Sequence, residues 1–348
     1  MKQILIVGPS WVGDMVMAQS LFRCLAQREG EVAIDVLAPA WCEALLGAMV
    51  EVRRTLPLPI GHGELALGKR WRLGRELKQV GYDQAIVLPN SFKSALIPWL
   101  AGIELRTGWR GEARGGLLND CRTLDKTRYP LMVQRFAALA FAPEAPLPEP
   151  LPWPRLVPDA SALAPLLARL GLTTAQPVLA LCPGAEFGPA KQWPEAHYAA
   201  VAAHYLQRGW QVWLLGSARD AVVGARIVAE VPPALGERLH DLCGTTSLSD
   251  AVLLLGQATA VVSNDSGLMH VAAALGRTLV VVYGSTSPGF TPPLAERVAM
   301  LSLALSCSPC FKRECPLQHL NCLRQLGPGR VVSALDALVA AAPVPGQV

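Results

Sequence analysis

Residues 5–25, LIVGPSWVGDMVMAQSLFRCL, run from an apolar strand through a glycine-bearing turn into a helix. Gly8 and Gly13 have the spacing of the two glycines in a phosphate-binding P-loop. The positions that such a loop fills with lysine and Ser or Thr hold Asp14 and Met15 instead. A carboxylate there repels a phosphate. At a helix start it is stabilised by free N–H groups and the helix dipole, and the chemistry it offers is that of a general base removing a proton from a hydroxyl. An aspartate in a first helical turn also serves as an ordinary helix-terminal carboxylate, so Asp14 alone does not decide between the two.

Other stretches carry groups suited to an anion. In LCPGAEFGPAKQWPEAHY (181–198) a strand ends at Cys182, a loop rich in Pro and Gly follows, and Trp193, Pro194 and Glu195 open a helix. Glu186 lies within that loop and Lys191 at its end, where an ammonium acts as a point charge for phosphate. In VVSNDSGLMHVAAALG (261–276) a buried strand runs out through Asp265, Ser266 and Gly267 into a helix with His270 in its first turn. Free N–H groups, a glycine that permits close approach and small hydroxyl side chains form an anion cradle. His270 can donate to a phosphate oxygen. VYGSTSP (282–288) ends the next strand with more small polar residues, so two neighbouring strand ends face one spot. LLGSARD (214–220) and LCGTTSLSD (242–250) are strand-to-helix turns that put Gly216, Ser217 and Thr245 where such domains line a nucleotide pocket. Each feature also has a plain structural reading: Lys191 as a surface lysine, Asp265 or Ser266 as an N-cap, His270 as a packed helix residue. The adjacency of two strand ends favours a site.

CSPCFKRECPLQHLNC (307–322) sets Cys307, Cys310, Cys315 and Cys322 at C-x2-C-x4-C-x6-C spacing, with His319 inside. The first pair is half of a zinc signature, but the second half departs from finger spacing, and thiols of a loop read the same way. No Asp-x-Asp, no G-x-x-x-x-G-K-[ST] and no G-x-G-x-x-G occurs. The usual carboxylate grip on a metal-bound nucleotide is missing. The motifs argue against a P-loop NTPase and a dinucleotide dehydrogenase.

These residues need elements to hold them. Strands are expected at 3–8, 32–37 and 84–88, with helices at 14–28, 40–48 and 69–80. That βαβ rhythm implies a parallel sheet covered on both faces. Residues 143–158 hold seven prolines, a density that reads as a linker. The rhythm then restarts, with strands at 178–182, 211–215, 260–263 and 278–283 and helices at 194–208, 218–229, 249–257 and 267–276. Residues 329–341 read as a last helix. A chain of 348 residues is expected to form two domains, and a ligand is expected outside the carboxyl ends of the strands.

The N-terminal apolar run of about five residues is too short for a signal peptide, and no stretch approaches the roughly 18 apolar residues of a membrane span. A cytoplasmic protein is expected, its nine cysteines thiols rather than disulfides. The net charge of +4 hides an asymmetry, because residues 69–128 alone carry twelve Lys/Arg against six Asp/Glu. A basic surface on the first half points to an anionic partner. Trp71, Phe92, Trp99 and Trp109 stand among the basic residues without forming a stacking motif, so nucleic acid is not the expected partner.

Taken together, PSWVGDM (9–15), PNSFKSA (89–95), RTGWRGE (106–112), CPGAEFGPAKQWP (182–194), SNDSGLMH (263–270) and CSPCFKRECP (307–316) resemble the lipopolysaccharide heptosyltransferases, family 9 glycosyltransferases of the GT-B type. The motifs follow family order over nearly the whole chain. The resemblance implies an α/β fold of two Rossmann-like doubly wound domains facing a central cleft. Residues 1–150 would bind the acceptor and carry the catalytic Asp, 151–158 would be the linker, 159–328 would bind ADP-heptose, and 329–348 would form a C-terminal helix and tail. It implies Asp14 as general base of an inverting, metal-independent transfer that needs no cofactor. Lys191, Asp265, Ser266, Gly267 and His270 would hold the donor diphosphate, with Glu186 beside them, and Gly216, Ser217 and Thr245 are expected on the donor from their turn positions alone. Lys69, Arg72, Asn90, Lys93, Arg106, Arg110 and Arg114 would meet the anionic inner core (Hep-Kdo2-lipid A) or the cytoplasmic face of the membrane. PNSFKS and TGWRGE side with the enzymes that add the second inner-core heptose. First-heptose transfer to Kdo2-lipid A, a GT-B-fold nucleotide-sugar isomerase and a non-catalytic lipid or RNA binder are the alternatives.

Overall fold

The computed structural model describes residues 1–28, 31–61 and 63–341, so the expected tail beyond Ala341 lies outside the described residues. The chain divides into two compact units, Met1–Val157 and Pro158–Val348. In the first, strands β1 (Lys2–Val7), β2 (Val32–Ala38), β3 (Val52–Pro57), β4 (Gln84–Val87), β5 (Leu105–Trp109) and β6 (Asp120–Arg122) alternate with helices α1 (Val12–Arg28), α2 (Glu43–Leu46), α3 (Leu67–Lys78), α4 (Phe92–Leu100) and α5 (Met132–Ala137). In the second, α6 (Leu163–Leu170) precedes β7 (Val178–Cys182). There follow α7 (Glu195–Gln207), β8 (Gln211–Leu214), α8 (Ala221–Glu230), β9 (Leu239–Asp241), α9 (Leu248–Gln257), β10 (Ala260–Asn264), α10 (Gly267–Ala274), β11 (Thr278–Val282), β12 (Val298–Leu301), α11 (Asn321–Arg324) and α12 (Pro328–Ala340).

Among the described residues each unit holds one six-stranded sheet, ordered β3-β2-β1-β4-β5-β6 and β12-β11-β10-β7-β8-β9, with every pairing parallel. The two orders are the same winding. Each starts at a central strand, goes out one way, then returns to the other side, and right-handed crossovers therefore put helices on both faces. α1 packs on α5 and α3 on α4, while α12 joins α7 and α6 joins α9. The central strands QAIV, VLALC, AVVSN and TLVVV are buried at every position, as a sheet covered on both faces requires. The strands not foreseen are mostly edges. β3 (VRRTLP) keeps two positions of its arginine pair exposed, and β6 and β9 have three half-buried residues each, so neither shows an apolar run. The helix expected at 40–48 is a three-residue 3-10 turn at Ala40–Cys42 followed by the four residues of α2.

The proline-rich stretch is tied down at its end. Gln19, buried in α1, donates to the Arg155 carbonyl at 2.7 Å and accepts from the Arg155 N–H at 2.8 Å, and Val157 N–H bonds the Ala48 carbonyl at 2.8 Å. Inside the first sheet, fully buried Asp35 on β2 accepts from Arg53 Nε and Nη2 at 2.8 Å, from Arg54, and from the Tyr82 hydroxyl at 2.6 Å. Burial pushes this carboxyl up, but the hydrogen bonds from Arg53, Arg54 and Tyr82 and the charge of Arg53 outweigh it and hold the pKa at about 2. A carboxylate with a depressed folded pKa stabilises above its unfolded value near 3.8, and that stabilisation is lost as pH falls toward 2. The arginines are partly solvated, which screens the pair. We expect Asp35→Asn to lower stability at pH 7 by about 1–3 kcal/mol in urea unfolding, with the gap to wild type narrowing below pH 4. An equal gap at both pH values would show that the carboxylate charge is not what binds β3 to β2.

Candidate active site

In a doubly wound sheet the place for a ligand is the carboxyl edge where the winding reverses. In the second unit this lies between β7 and β10, whose Cys182 and Ser263 are paired neighbours. The chain leaves β7 into the loop 183–194 and leaves β10 directly into α10. Asn264, the last residue of β10, is fully buried and joins the two. Its Oδ1 accepts from Trp193 N–H at 3.1 Å and from the Tyr198 hydroxyl at 3.0 Å, and its Nδ2 donates to the Pro183 carbonyl at 2.6 Å. Held in this way, the loop presents Lys191 from a short 3-10 turn, and its Nζ reaches Asp265 Oδ2 at 2.6 Å and the Asp265 carbonyl at 3.3 Å. Thr286, on the loop after β11, donates to the same carboxylate oxygen at 2.5 Å. Ser266 sits in extended conformation before α10, its hydroxyl 3.2 Å from that of Ser263, and Gly267 begins the helix.

His270 lies in the first turn of α10, 6% exposed. Burial lowers its pKa from 6.5 to about 4, with Asp265 pulling it up and Lys191 pushing it down. The imidazole is therefore neutral at pH 7 and keeps one N–H donor. Lys191, Asp265, Ser266, Gly267 and His270 thus come together, with Thr286 added. Their inventory of an ammonium, hydroxyls, an imidazole N–H and the N-terminus of an eight-residue helix suits the oxygens of an anion.

The remaining expected donor residues lie along the same edge. Gly216 and Thr245 follow β8 and β9, whose loops are joined by the Gly244 N–H to Gly216 carbonyl bond at 3.0 Å. A side chain at 216 would place Cβ 2.8 Å from that of Asp220. The Ser217 hydroxyl donates to Asp220 at 2.7 Å, and that of Thr245 to the Leu242 carbonyl at 3.1 Å. Glu186 is exposed and ion-paired with Arg219.

In the first unit the reversal lies between β1 and β4. Asp14 stands half-buried in the first turn of α1, just past β1. Gly8 sits in close packing: a Cβ there would come within 2.7 Å of Met15 Cε and 3.3 Å of Val36. Asn90 and Lys93 lie at the end of β4 and the start of α4. Arg114 is 1% exposed, and its guanidinium donates to the Trp109 and Pro89 carbonyls and to Asn90 Oδ1 at 2.8 Å. Arg106 donates to the Leu117 carbonyl at 2.6 Å and to that of Ile103. These two charges brace the chain around β4 and β5 rather than face outward. Buried Arg70 does the same, donating to Leu65, Lys93 and Glu64 carbonyls. The basic surface is accordingly smaller than the sequence count implies, with Lys69, Arg72 and Arg110 exposed.

Among the described residues no group of three or more His, Cys, Asp or Glu is placed to hold a metal ion. Burial raises the Cys322 thiol, and Cys307, Cys315 and Cys310 lie near enough to raise it further. His319 Nδ1 accepts from Asn321 N–H at 3.0 Å. The Cys315 thiol is pulled below its usual pKa by backbone N–H groups, that of Leu320 foremost, then those of Leu317, His319 and Gln318. Cys322 packs at the margin of the second unit's core. Sequence reasoning also left Asn264 and Thr286 unassigned, although both sit in the stretches it singled out. A buried asparagine at a strand end is the signal that was available for the first.

Two doubly wound α/β units with such an edge are the architecture of the GT-B glycosyltransferases. A family model described as glycosyltransferase family 9 (heptosyltransferase) matches residues 70–321. Lipopolysaccharide heptosyltransferase 2 of Escherichia coli is 47% identical over 342 residues, covering 97% of this chain and 98% of its own. Lipooligosaccharide heptosyltransferase 2 of Haemophilus influenzae is 48% identical over 307 residues, covering 86% and 88%. The solved structure of E. coli ADP-heptose lps heptosyltransferase II matches at a TM-score of 0.88 with 45% identity, over 98% of this chain and 99% of that one. The chain belongs to glycosyltransferase family 9.

His270 offers a direct check on this geometry. In ligand-free protein its imidazole should titrate near pH 4 by NMR, against 6.5 for a solvated histidine. Between those values the unfolded chain takes up a proton that the folded chain refuses, so this residue's contribution to stability falls as pH drops from 6.5 toward 4. A midpoint at or above 6.5 would mean that the ring is not buried beside Lys191.

Proposed function

We propose that the protein moves heptose from ADP-heptose to the first heptose of the lipopolysaccharide inner core. The observation that carries this reading is the near-full-length likeness, at 47%, to an enzyme named lipopolysaccharide heptosyltransferase 2. The geometry supports the division of labour. The Lys191–Asp265–His270 cradle takes the donor diphosphate, and the turns at Gly216, Ser217 and Thr245 flank it on the side where the nucleoside would lie. Glu186 belongs to the same edge.

In the proposed mechanism Asp14 accepts the proton of an acceptor heptose hydroxyl as that oxygen attacks C1 of the donor sugar. The bond from C1 to the diphosphate oxygen breaks as the new one forms, and the configuration at C1 inverts. Charge growing on the departing ADP is met by the Lys191 ammonium, the His270 N–H and the first N–H groups of α10. With no Asp-x-Asp in the chain, this stabilisation is assigned to the protein's own donors, and chelator is expected to leave turnover unchanged.

Acceptor contacts are assigned to Asn90, Lys93 and Arg110, with Arg114 and Arg106 acting behind them. On α3 the cations Lys69 and Arg72 share an exposed surface with Leu67, 57% exposed, and Trp71, 53% exposed. Apolar groups interleaved with cations suit an anionic lipid surface, and we assign this helix to the cytoplasmic face of the membrane where the acceptor is anchored. Among the described residues no helix is long and apolar enough to cross a membrane.

The test is ADP release from ADP-heptose with defined acceptors. Release with a one-heptose acceptor, with growth by one heptose, supports the proposal. Release only with heptose-free Kdo2-lipid A moves the assignment to first-heptose transfer, and release with neither removes both. Asp14→Asn should lower kcat by about 10²–10⁴-fold with ADP binding retained. Near-native turnover in that variant would take the base role from Asp14.

A further inference from the structure

The cysteine-rich segment is the one motif that the site as described leaves without a task. Its backbone is fastened to both loops that make the cradle. On one side Ala190 N–H donates to the Arg313 carbonyl at 3.0 Å. Gly188, at φ +148°, lies so close that a Cβ would come within 2.6 Å of that carbonyl oxygen. On the other side Phe311 N–H donates to the Ser285 carbonyl at 2.7 Å, and the Ser308 hydroxyl to the Gly284 carbonyl at 2.6 Å. Residues 308–313 are therefore a strap joining the loop that carries Lys191 to the loop that carries Thr286.

The strap brings a charge with it. The Arg313 guanidinium lies 5.4 Å from the centroid of the Phe187 ring, and the Lys191 ammonium lies 5.0 Å from the same centroid. Two cations gathered on one ring repel each other. Lys191 has its counter-ion in Asp265, 2.6 Å away. Arg313 is exposed, and among the described residues its guanidinium makes no ion pair and no hydrogen bond. A planar fork of donors held beside a phosphate cradle, with its charge unspent, matches the oxygens of a diphosphate.

We infer that Arg313 is a second cation for the diphosphate of the sugar donor, delivered to the Lys191 cradle by the cysteine-rich strap. This rests on the reading of that cradle as the donor site. The strap then has a mechanical purpose: tight turns of the chain set the height at which Arg313 meets Phe187.

The experiment is calorimetric binding of ADP at low and high salt to wild type, Arg313→Ala, Arg313→Lys and, as a neighbour on the same strap, Lys312→Ala. Arg313→Ala should weaken ADP binding by about 10-fold or more at low salt and flatten its salt dependence. Its melting temperature should be unchanged, Arg313→Lys should recover part of the loss, and Lys312→Ala should bind as wild type does. In turnover, KM for the donor should rise with KM for the acceptor unchanged. ADP affinity within about twofold of wild type in Arg313→Ala would overturn the inference, as would an equal loss in Lys312→Ala. Failure of wild type itself to bind ADP would instead overturn the donor-site reading, and this inference with it.

Discussion

The carboxyl edge of the second sheet hangs on one carboxamide. Asn264 is fully buried at the end of β10, so both ends of its amide must find partners without water. They find them on the loop from β7 and on α7: the Trp193 N–H and Tyr198 hydroxyl on the oxygen, the Pro183 carbonyl on the nitrogen. The loop 183–194 has little regular structure of its own. The amide turns its far end back over β10, and only then does Lys191 Nζ come to 2.6 Å from Asp265. Each group left unpaired in such a place costs about 1–3 kcal/mol. Aspartate has no N–H to give Pro183, and leucine has nothing for any of the three partners.

The two units use one winding for opposite chemistry. Each reverses between its first and fourth strands, and each begins a helix there. In the first unit that place holds a carboxylate, Asp14, in a turn whose glycine at position 8 packs close to Met15 and Val36. In the second it holds an ammonium and an imidazole. Glycine spacing by itself says little about what a turn binds.

That difference explains what could be read from the sequence and what could not. The central strands were legible because burial on both faces makes continuous apolar runs such as VLALC and TLVVV. Edge strands β3, β6 and β9 were not, because half of each meets solvent or carries charge, as Arg53 and Arg54 do on β3. The cradle residues Lys191 and Asp265 to His270 stood out because a strand end, a glycine and a helix start fall within a few residues. For Arg114 and Arg106 a sequence count registers the charge but not the backbone carbonyls that accept from them. Asn264 and Thr286 act through partners more than twenty residues away or on another loop, and contacts of that kind leave no local pattern.

The cradle around Lys191 is electrostatically quiet, and its composition accounts for that. Asp265 accepts two of the bonds around it from Lys191 and Thr286, so the ammonium is neutralised in place. Burial keeps His270 uncharged at pH 7. A lysine with its side chain 15% exposed would be costly to hold without such a counter-ion. The pair therefore fixes Lys191 Nζ at the turn between β10 and α10. In the donor role proposed above, an arriving diphosphate would meet donors already placed by Asn264 and by the turn into α10. The ammonium still has a donor to offer, and the imidazole becomes easier to protonate as negative charge comes near. Donors that need not move when the bond to the leaving group breaks stabilise that charge without a reorganisation penalty. For the donor site proposed above, this gives a physical reason for a buried carboxylate beside the cation: it holds the Lys191 ammonium in position.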